Sequence, residues 1–261
     1  MNTQRQPENI SPWLARLAQS PAPDAAHLSG SLAHQWHQPY VTGHWCEVLH
    51  TALALIHDDS PGHAQFSFAQ HKLRWWRQLI FQRIAVRALN GEANLDETLL
   101  ETSEAADALV QVSLAWLNRM YPAPRPLVVI AMGKWGGMEL NFSSDIDPLL
   151  SWDDEGLDES ESAELNDKLV RHAQRWVDLL GKRTDDGIVF RVDLMLRPFG
   201  SAAPIVQPLS AMETYYQTHG RAWERYAWVK ARVVAGDMAA GTKLLRALQP
   251  FIYRKYLDYT V

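Results

Sequence analysis

Three aspartates in the second half of the chain have the residue type and spacing of a metal-dependent phosphoryl- or nucleotidyl-transfer site. Asp145 and Asp147 stand one residue apart, just after the glycine-rich run Gly133-Lys134-Trp135-Gly136-Gly137, and Asp193 follows in a separate segment of alternating polarity. On an extended backbone residues two apart face the same side, so the first two carboxylates converge on one point and can share a divalent cation. Mg²⁺ takes hard oxygen ligands, usually one or two protein carboxylates, and completes its shell with water and phosphate oxygens. A third carboxylate from Asp193 would let two such ions, roughly 3.5 to 4 Å apart, clamp the attacking and leaving oxygens of an in-line displacement. Arg191 and Arg197 share the polar face of Asp193. Guanidinium groups there would offset the charge that spreads over phosphate oxygens during transfer.

The glycine run follows an apolar segment, and glycines at such a turn let backbone N–H groups approach a phosphate. It has neither the spacing of a P-loop nor that of a dinucleotide fingerprint. Ser143 and Ser144 directly precede the carboxylate pair; their hydroxyls either bind phosphate oxygens or cap a turn.

The elements that must position these groups can be read from periodicity. Leu127 to Met132 is a buried strand running into the glycine loop, and Asp145 to Trp152 is a second strand. A third opens at Gly187, with Phe190, Val192, Leu194 and Leu196 facing one way and Arg191, Asp193, Met195 and Arg197 the other, until Pro198 and Gly200 end it. Helical spacing covers 69–89, a stretch through Leu117 that Asp96 can cap, 163–180, 209–216, 221–234 and a final segment into Val261. The basic residues of Lys72 to Arg87 read as a solvated face with a lesser option of protein docking. Before Pro39 the prolines allow only short helices and loops. The expectation is an α+β chain: a helical region 1–122, a sheet-bearing core 123–207, and the start of a further helical region 208–261.

A formal charge of -5 with 25 basic and 30 acidic residues leaves no electrostatic footprint for DNA or RNA. One cysteine, Cys46, forms no internal disulfide, the start lacks the plan of a signal peptide, and no apolar run nears a bilayer span. A cytoplasmic protein without membrane or nucleic-acid partners is expected. The ten histidines include His34, His37, His44 and His50 but no zinc-binding spacing, and Trp76 and Trp116 fall on apolar helical faces as core residues.

Residues 133–147, Gly-Lys-Trp-Gly-Gly-Met-Glu-Leu-Asn-Phe-Ser-Ser-Asp-Ile-Asp, closely resemble the signature of the bifunctional glutamine synthetase adenylyltransferase/adenylyl-removing enzymes. Phe190-Arg191-Val192-Asp193-Leu194-Met195-Leu196-Arg197-Pro198-Phe199-Gly200 is similar to that family's second active-site strand, and the run from Tyr215 to Val233 to the helix that follows. The lead-in Glu139 to Ser144 and the Gly220-Arg221-x-Trp223-Glu224-Arg225-Tyr226 motif are similar to the N-terminal, adenylyl-removing module. The resemblance implies a polymerase-β-like nucleotidyltransferase sheet with flanking helices. It implies phosphorolysis: orthophosphate removes AMP as ADP from a modified tyrosine of glutamine synthetase, with two Mg²⁺ ions, or Mn²⁺ in their place. By the same resemblance Asp145, Asp147 and Asp193 are metal ligands, Arg197 stabilises charge, and Gly136, Gly137 and Ser144 contact phosphate or nucleotide. Two alternatives accompany it: an adenylyltransferase using ATP, or a degenerate module that binds glutamine synthetase without turnover. The family answers to the PII signal protein and to glutamine, and no residue here is assigned to either.

This chain departs from the family pattern at Met195, where arginine is usual, at Pro148, where leucine is usual, and at Trp135, where leucine is common. It also stops at Val261 where family members continue, as an excised piece or a shorter natural protein would. Proline lacks a ladder donor and restricts the residue before it, so Pro148 is expected to displace Asp147 unless its strand lies at a sheet edge.

Overall fold

Alternation along one short strand organises the molecule. The computed structural model describes residues 39–53 and 63–253. In β1 (Val128–Ala131) all four residues are buried. Val129 and Ala131 face one apolar core, while Val128 and Ile130 face a second. A strand apolar on both sides must be covered on both sides. The first cover is helical: α1 (His44–Leu53), α2 (His63–Leu89), α3 (Leu95–Met120) and α5 (Glu159–Gly181). The second is α6 (Leu209–Thr218), α7 (Ala222–Val229) and α8 (Met238–Ile252). One helical turn, α4 (Gly133–Gly136), follows β1 directly.

β1 lies inside a four-stranded mixed sheet of order β3-β2-β1-β4, with β2 (Pro148–Trp152), β3 (Val206–Pro208) and β4 (Arg232–Gly236). β1 pairs antiparallel with β2, Ala131 opposite Pro148, and antiparallel with β4, Ala131 opposite Arg232. β2 and β3 run parallel. The chain is therefore α+β, a sheet flanked by helices as the resemblance implies. No helix among the described residues is long and apolar enough to cross a membrane.

Several expectations are corrected. The third strand does not form as a ladder: residues 187–197 carry one parallel bridge, Ile146 to Val192, and a local Thr184–Gly187 bridge. Its alternation holds only as far as Leu194: Phe190, Val192 and Leu194 pack on the first core while Arg191 and Met195 are exposed, but Leu196, expected on the same face, packs on the second core. The helix expected over 221–234 ends at Val229, and Arg232–Gly236 becomes β4. Gly236 at φ +79° lets that strand lie against β1, since a Cβ there would sit 1.8 Å from Leu127 O. The second strand starts at Pro148 rather than Asp145, and β3 was not foreseen. Asn94, not Asp96, caps α3 by accepting from Glu97 N. The segments before Pro39 and beyond Tyr253 lie outside the described residues.

The basic face of α2 is not solvated. Arg74, Arg83 and Arg87 are buried. Glu101 on α3, 0% exposed, accepts from Arg83, from Arg87 at 2.8 Å and from Trp45 Nε1 at 3.3 Å. Arg74 donates to backbone carbonyls of Gly187 at 2.9 Å and Leu179 at 3.1 Å, tying α2 to the end of α5. Buried guanidinium groups need such partners, because an uncompensated interior charge is expensive. Trp76 and Trp116 are core residues, 3% and 1% exposed.

Candidate metal and nucleotide site

The site grows from the end of β1. Gly133 adopts φ +58°, a left-handed conformation that turns the chain into α4. A Cβ at Gly133 would lie 2.5 Å from Asp147 Oδ2, so the carboxylate rests against bare Cα. Met132 N–H donates to Asp147 O at 2.9 Å. Pro148 sits in an interior strand, yet at its first residue, where a missing donor is tolerated. The backbone bond from Met132 to Asp147 thus survives the proline.

Ile146, 0% exposed, separates Asp145 from Asp147 and joins the third carboxylate to them. Its N–H donates to Arg191 O at 3.0 Å, and its carbonyl accepts from Asp193 N at 2.9 Å. Two backbone bonds and one buried side chain therefore bring Asp193 alongside the pair. The electrostatics record that proximity. Burial raises the Asp147 carboxyl to about 6, with repulsion from Asp193 and Asp145 adding to it and Lys134 opposing it.

Arg191 donates from Nε to Asp145 and from its terminal nitrogen to Ser143 O at 2.7 Å. Asp193 Oδ1 accepts from Met195 N at 2.8 Å. With these oxygens engaged elsewhere and like charges repelling, no group of three His, Cys, Asp or Glu side chains among the described residues is gathered tightly enough to hold an ion as it stands. The donor set nonetheless suits a hard divalent cation: oxygen ligands only, and a half-buried carboxylate whose neighbours repel its charge.

The other expected residues are placed as follows. Arg197 donates to Leu194 O at 2.6 Å and Ala203 O at 3.1 Å, and burial lowers its pKa while Asp193 works against that. The N–H groups of Gly136 and Gly137 are used within the turn, donating to Met132 O at 2.8 Å and Gly133 O at 3.1 Å. The expected open glycine loop is thus a helical turn. Ser144 Oγ donates to Asn141 Oδ1 at 2.8 Å, the turn-capping option. Met195 is 54% exposed.

Two contributions escaped the reading of spacing. Lys134, exposed on α4, is the cation that favours ionised Asp147. Beneath α4, Asp107 accepts from Trp135 Nε1 at 2.8 Å and from both terminal nitrogens of Arg232 at 2.6 and 3.0 Å. Arg232 also reaches Trp135 O at 3.2 Å. An acid among the apolar positions Ala106, Leu109 and Val110 was the available signal.

A family model described as glutamate-ammonia ligase adenylyltransferase matches residues 9–247. Proteins named bifunctional glutamine synthetase adenylyltransferase/adenylyl-removing enzyme are similar to the chain. That of Thioalkalivibrio sulfidiphilus is 46% identical over 199 residues, 72% of this chain and 20% of its own length. That of Nitrosococcus oceani is 44% identical over 201 residues, 72% of this chain and 21% of its own. That of Pseudomonas syringae pv. tomato is 43% identical over 192 residues, 68% and 20%. The chain thus spans only 20% to 21% of the length of these curated relatives. By the extent of the model match and the identity to these relatives, the chain belongs to the glutamate-ammonia ligase adenylyltransferase family.

Proposed function

We propose that this chain is an adenylyl-removing nucleotidyltransferase module, acting with orthophosphate on adenylylated glutamine synthetase. The observation that supports the reading is the backbone bridge at Ile146, which runs the Asp193 segment beside Asp145 and Asp147, with the Asp147 carboxyl raised to about 6 by burial and by its two acidic neighbours. The three carboxylates would hold Mg²⁺ or Mn²⁺, which supplies Lewis-acid stabilisation of phosphoryl and leaving-group oxygens.

The chain's own residues do the positioning. Gly133 leaves room for the Asp147 carboxylate, and the Met132 and Ile146 backbone bonds hold it beside Asp193. Lys134 supports the ionised form of Asp147. An orthophosphate oxygen bonds to the adenylyl phosphorus as the bond from phosphorus to the tyrosine oxygen breaks, and the proton of hydrogen phosphate passes to the phenolate, giving ADP and free tyrosine. A phenol of pKa about 10 is a workable leaving group without a dedicated general acid.

The test is to incubate the folded chain with adenylylated glutamine synthetase, orthophosphate and Mg²⁺. ADP is expected, and none above background would overturn the reading. Labelled AMP entering unmodified glutamine synthetase from ATP would replace it with the transferase direction. A second reading, docking without turnover, is favoured by one observation: Arg191 and Arg197 are both engaged by protein groups, and Met195 supplies no charge. Recovery of ADP formation on Met195→Arg would count against that reading.

A further inference from the structure

We infer that the cavity between α2 and the Ser143–Arg191 edge of the site is a subsite for a phosphate oxyanion, with Arg77 as its principal cation. The cavity measures about 220 Å³ and is lined by Arg77, Phe142, Ser143, Ser144, Phe190 and Arg191 among others. Arg77, half-buried, comes from the middle of α2, a helix whose buried arginines Arg74, Arg83 and Arg87 all donate to carboxylates or carbonyls. Arg77 is different. Its Nε is buried without an acceptor, and no carboxylate pairs with it among the described residues. Its one neighbour of note is aromatic: the guanidinium carbon sits 4.3 Å from the Phe81 ring centroid.

Burial lowers the Arg77 pKa to about 10, and nothing nearby pulls it back. At neutral pH the group is still charged. A guanidinium whose Nε is buried without an acceptor and whose one partner is an aromatic ring gains more from an arriving anion than one already bonded to oxygen. Beside Arg77 the cavity places Arg191, whose guanidinium already donates to Asp145 and to Ser143 O, the residues Ser143 and Ser144, the latter's hydroxyl bonded to Asn141, and the rings of Phe142 and Phe190. Forked N–H donors suit the oxygens of a tetrahedral oxyanion, and the neighbouring aromatic rings lower the local dielectric in which such contacts form.

Position ties the subsite to the chemistry. Arg191, which lines the cavity, also donates to Asp145, so an anion held beside Arg77 lies one side chain from the carboxylates. Under the phosphorolysis reading, on which its role but not its binding rests, the anion is the attacking orthophosphate.

The test is equilibrium binding of labelled orthophosphate to the whole 261-residue chain, compared with Arg77→Gln and Arg77→Met. The methionine variant keeps apolar packing on Phe81, so it should melt no lower than the parent. Saturable binding to the parent, weakened at least about tenfold in both variants, is the expected result. No binding to the parent, or equal binding to all three, would overturn the subsite. AMP as competitor separates the sources: no displacement identifies free orthophosphate, and displacement identifies a nucleotide phosphoryl group, either of which supports an oxyanion site. The ADP assay keeps the two claims apart. Arg77-dependent phosphate binding without ADP would strike phosphorolysis alone, whereas ADP formation with an unchanged KM for orthophosphate in Arg77→Gln would strike the assignment of the bound anion as the attacking orthophosphate.

Discussion

Gly136 carries a sharp test of how the site is built. Adding one methyl as Gly136→Ala places a Cβ 2.3 Å from Lys230 O and 2.5 Å from Ala131 O, both backbone atoms. Ordinary carbon–oxygen contacts begin near about 3.3 Å, so the chain must open by about 1 Å on both sides at once. One oxygen belongs to β1 and the other to the end of α7, so neither can yield without moving an element. Overpacking of this kind costs about 1–3 kcal/mol, and rigid backbone on both sides favours the upper end. Alanine's better helix propensity returns at most about 1 kcal/mol. A net loss of about 2 kcal/mol should lower the midpoint of thermal unfolding by about 4–8 °C for a chain of this size. Gly137→Ala is the control: its Cβ meets Lys230 Cδ at 2.9 Å, a methylene that can swing aside. That variant should lose less than about 1 kcal/mol. Thermal unfolding followed by circular dichroism reads both. A Gly136→Ala midpoint within about 1 °C of the parent, or a larger loss for Gly137→Ala, would refute the packing argument.

Other outcomes follow from the same contacts. Glu101→Gln removes the buried negative charge to which Arg83 and Arg87 both donate, leaving Arg87 its pair with Glu97, and should cost about 3–5 kcal/mol in a urea titration. His172 is 3% exposed, bonded to Asn118 Oδ1 at 2.8 Å, and burial, aided by Arg175, lowers its pKa. With the folded value below the unfolded value of about 6.5, the unfolded state takes up more protons as pH falls. The His172 contribution should therefore be flat above about pH 6.5 and decline below it, and the difference between parent and His172→Gln in urea midpoints at several pH values reads that contribution. Asp147→Asn should weaken Mn²⁺ binding at least about tenfold by calorimetry, and an unchanged affinity would remove Asp147 from the ligand set.

Much of this was legible in residue types. The apolar run of β1, the long helices α2, α3 and α5, and the sides to which Phe190 and Arg191 point all follow from local periodicity. What was hidden depends on distant partners. β4 is a strand because β1 has a free edge about a hundred residues earlier, and no local pattern in Arg232–Gly236 reports that. The segment around Asp193 alternates like a strand but, among the described residues, meets extended backbone at Ile146 alone, so it gains one bridge and no ladder. Arginines on α2 looked solvated because charge usually is; Glu101, a turn and a helix away, reverses that. In the candidate site the carboxylate spacing pointed to Asp145, Asp147 and Asp193, whereas the roles of Asp107 and Arg77 depend on burial that spacing does not encode.

The pairing of β1 with β4 has a consequence for biosynthesis. Val128–Ala131 emerges from the ribosome long before Arg232–Gly236, and until then one edge of a wholly buried apolar strand has no neighbour. At about 5–20 residues per second the wait is about 5–20 seconds. Such an edge is a template for pairing with other chains, so a nascent chain stalled in this window, or a fragment cut before residue 232, should aggregate or recruit a chaperone more readily than one reaching the end of α8 at Ile252.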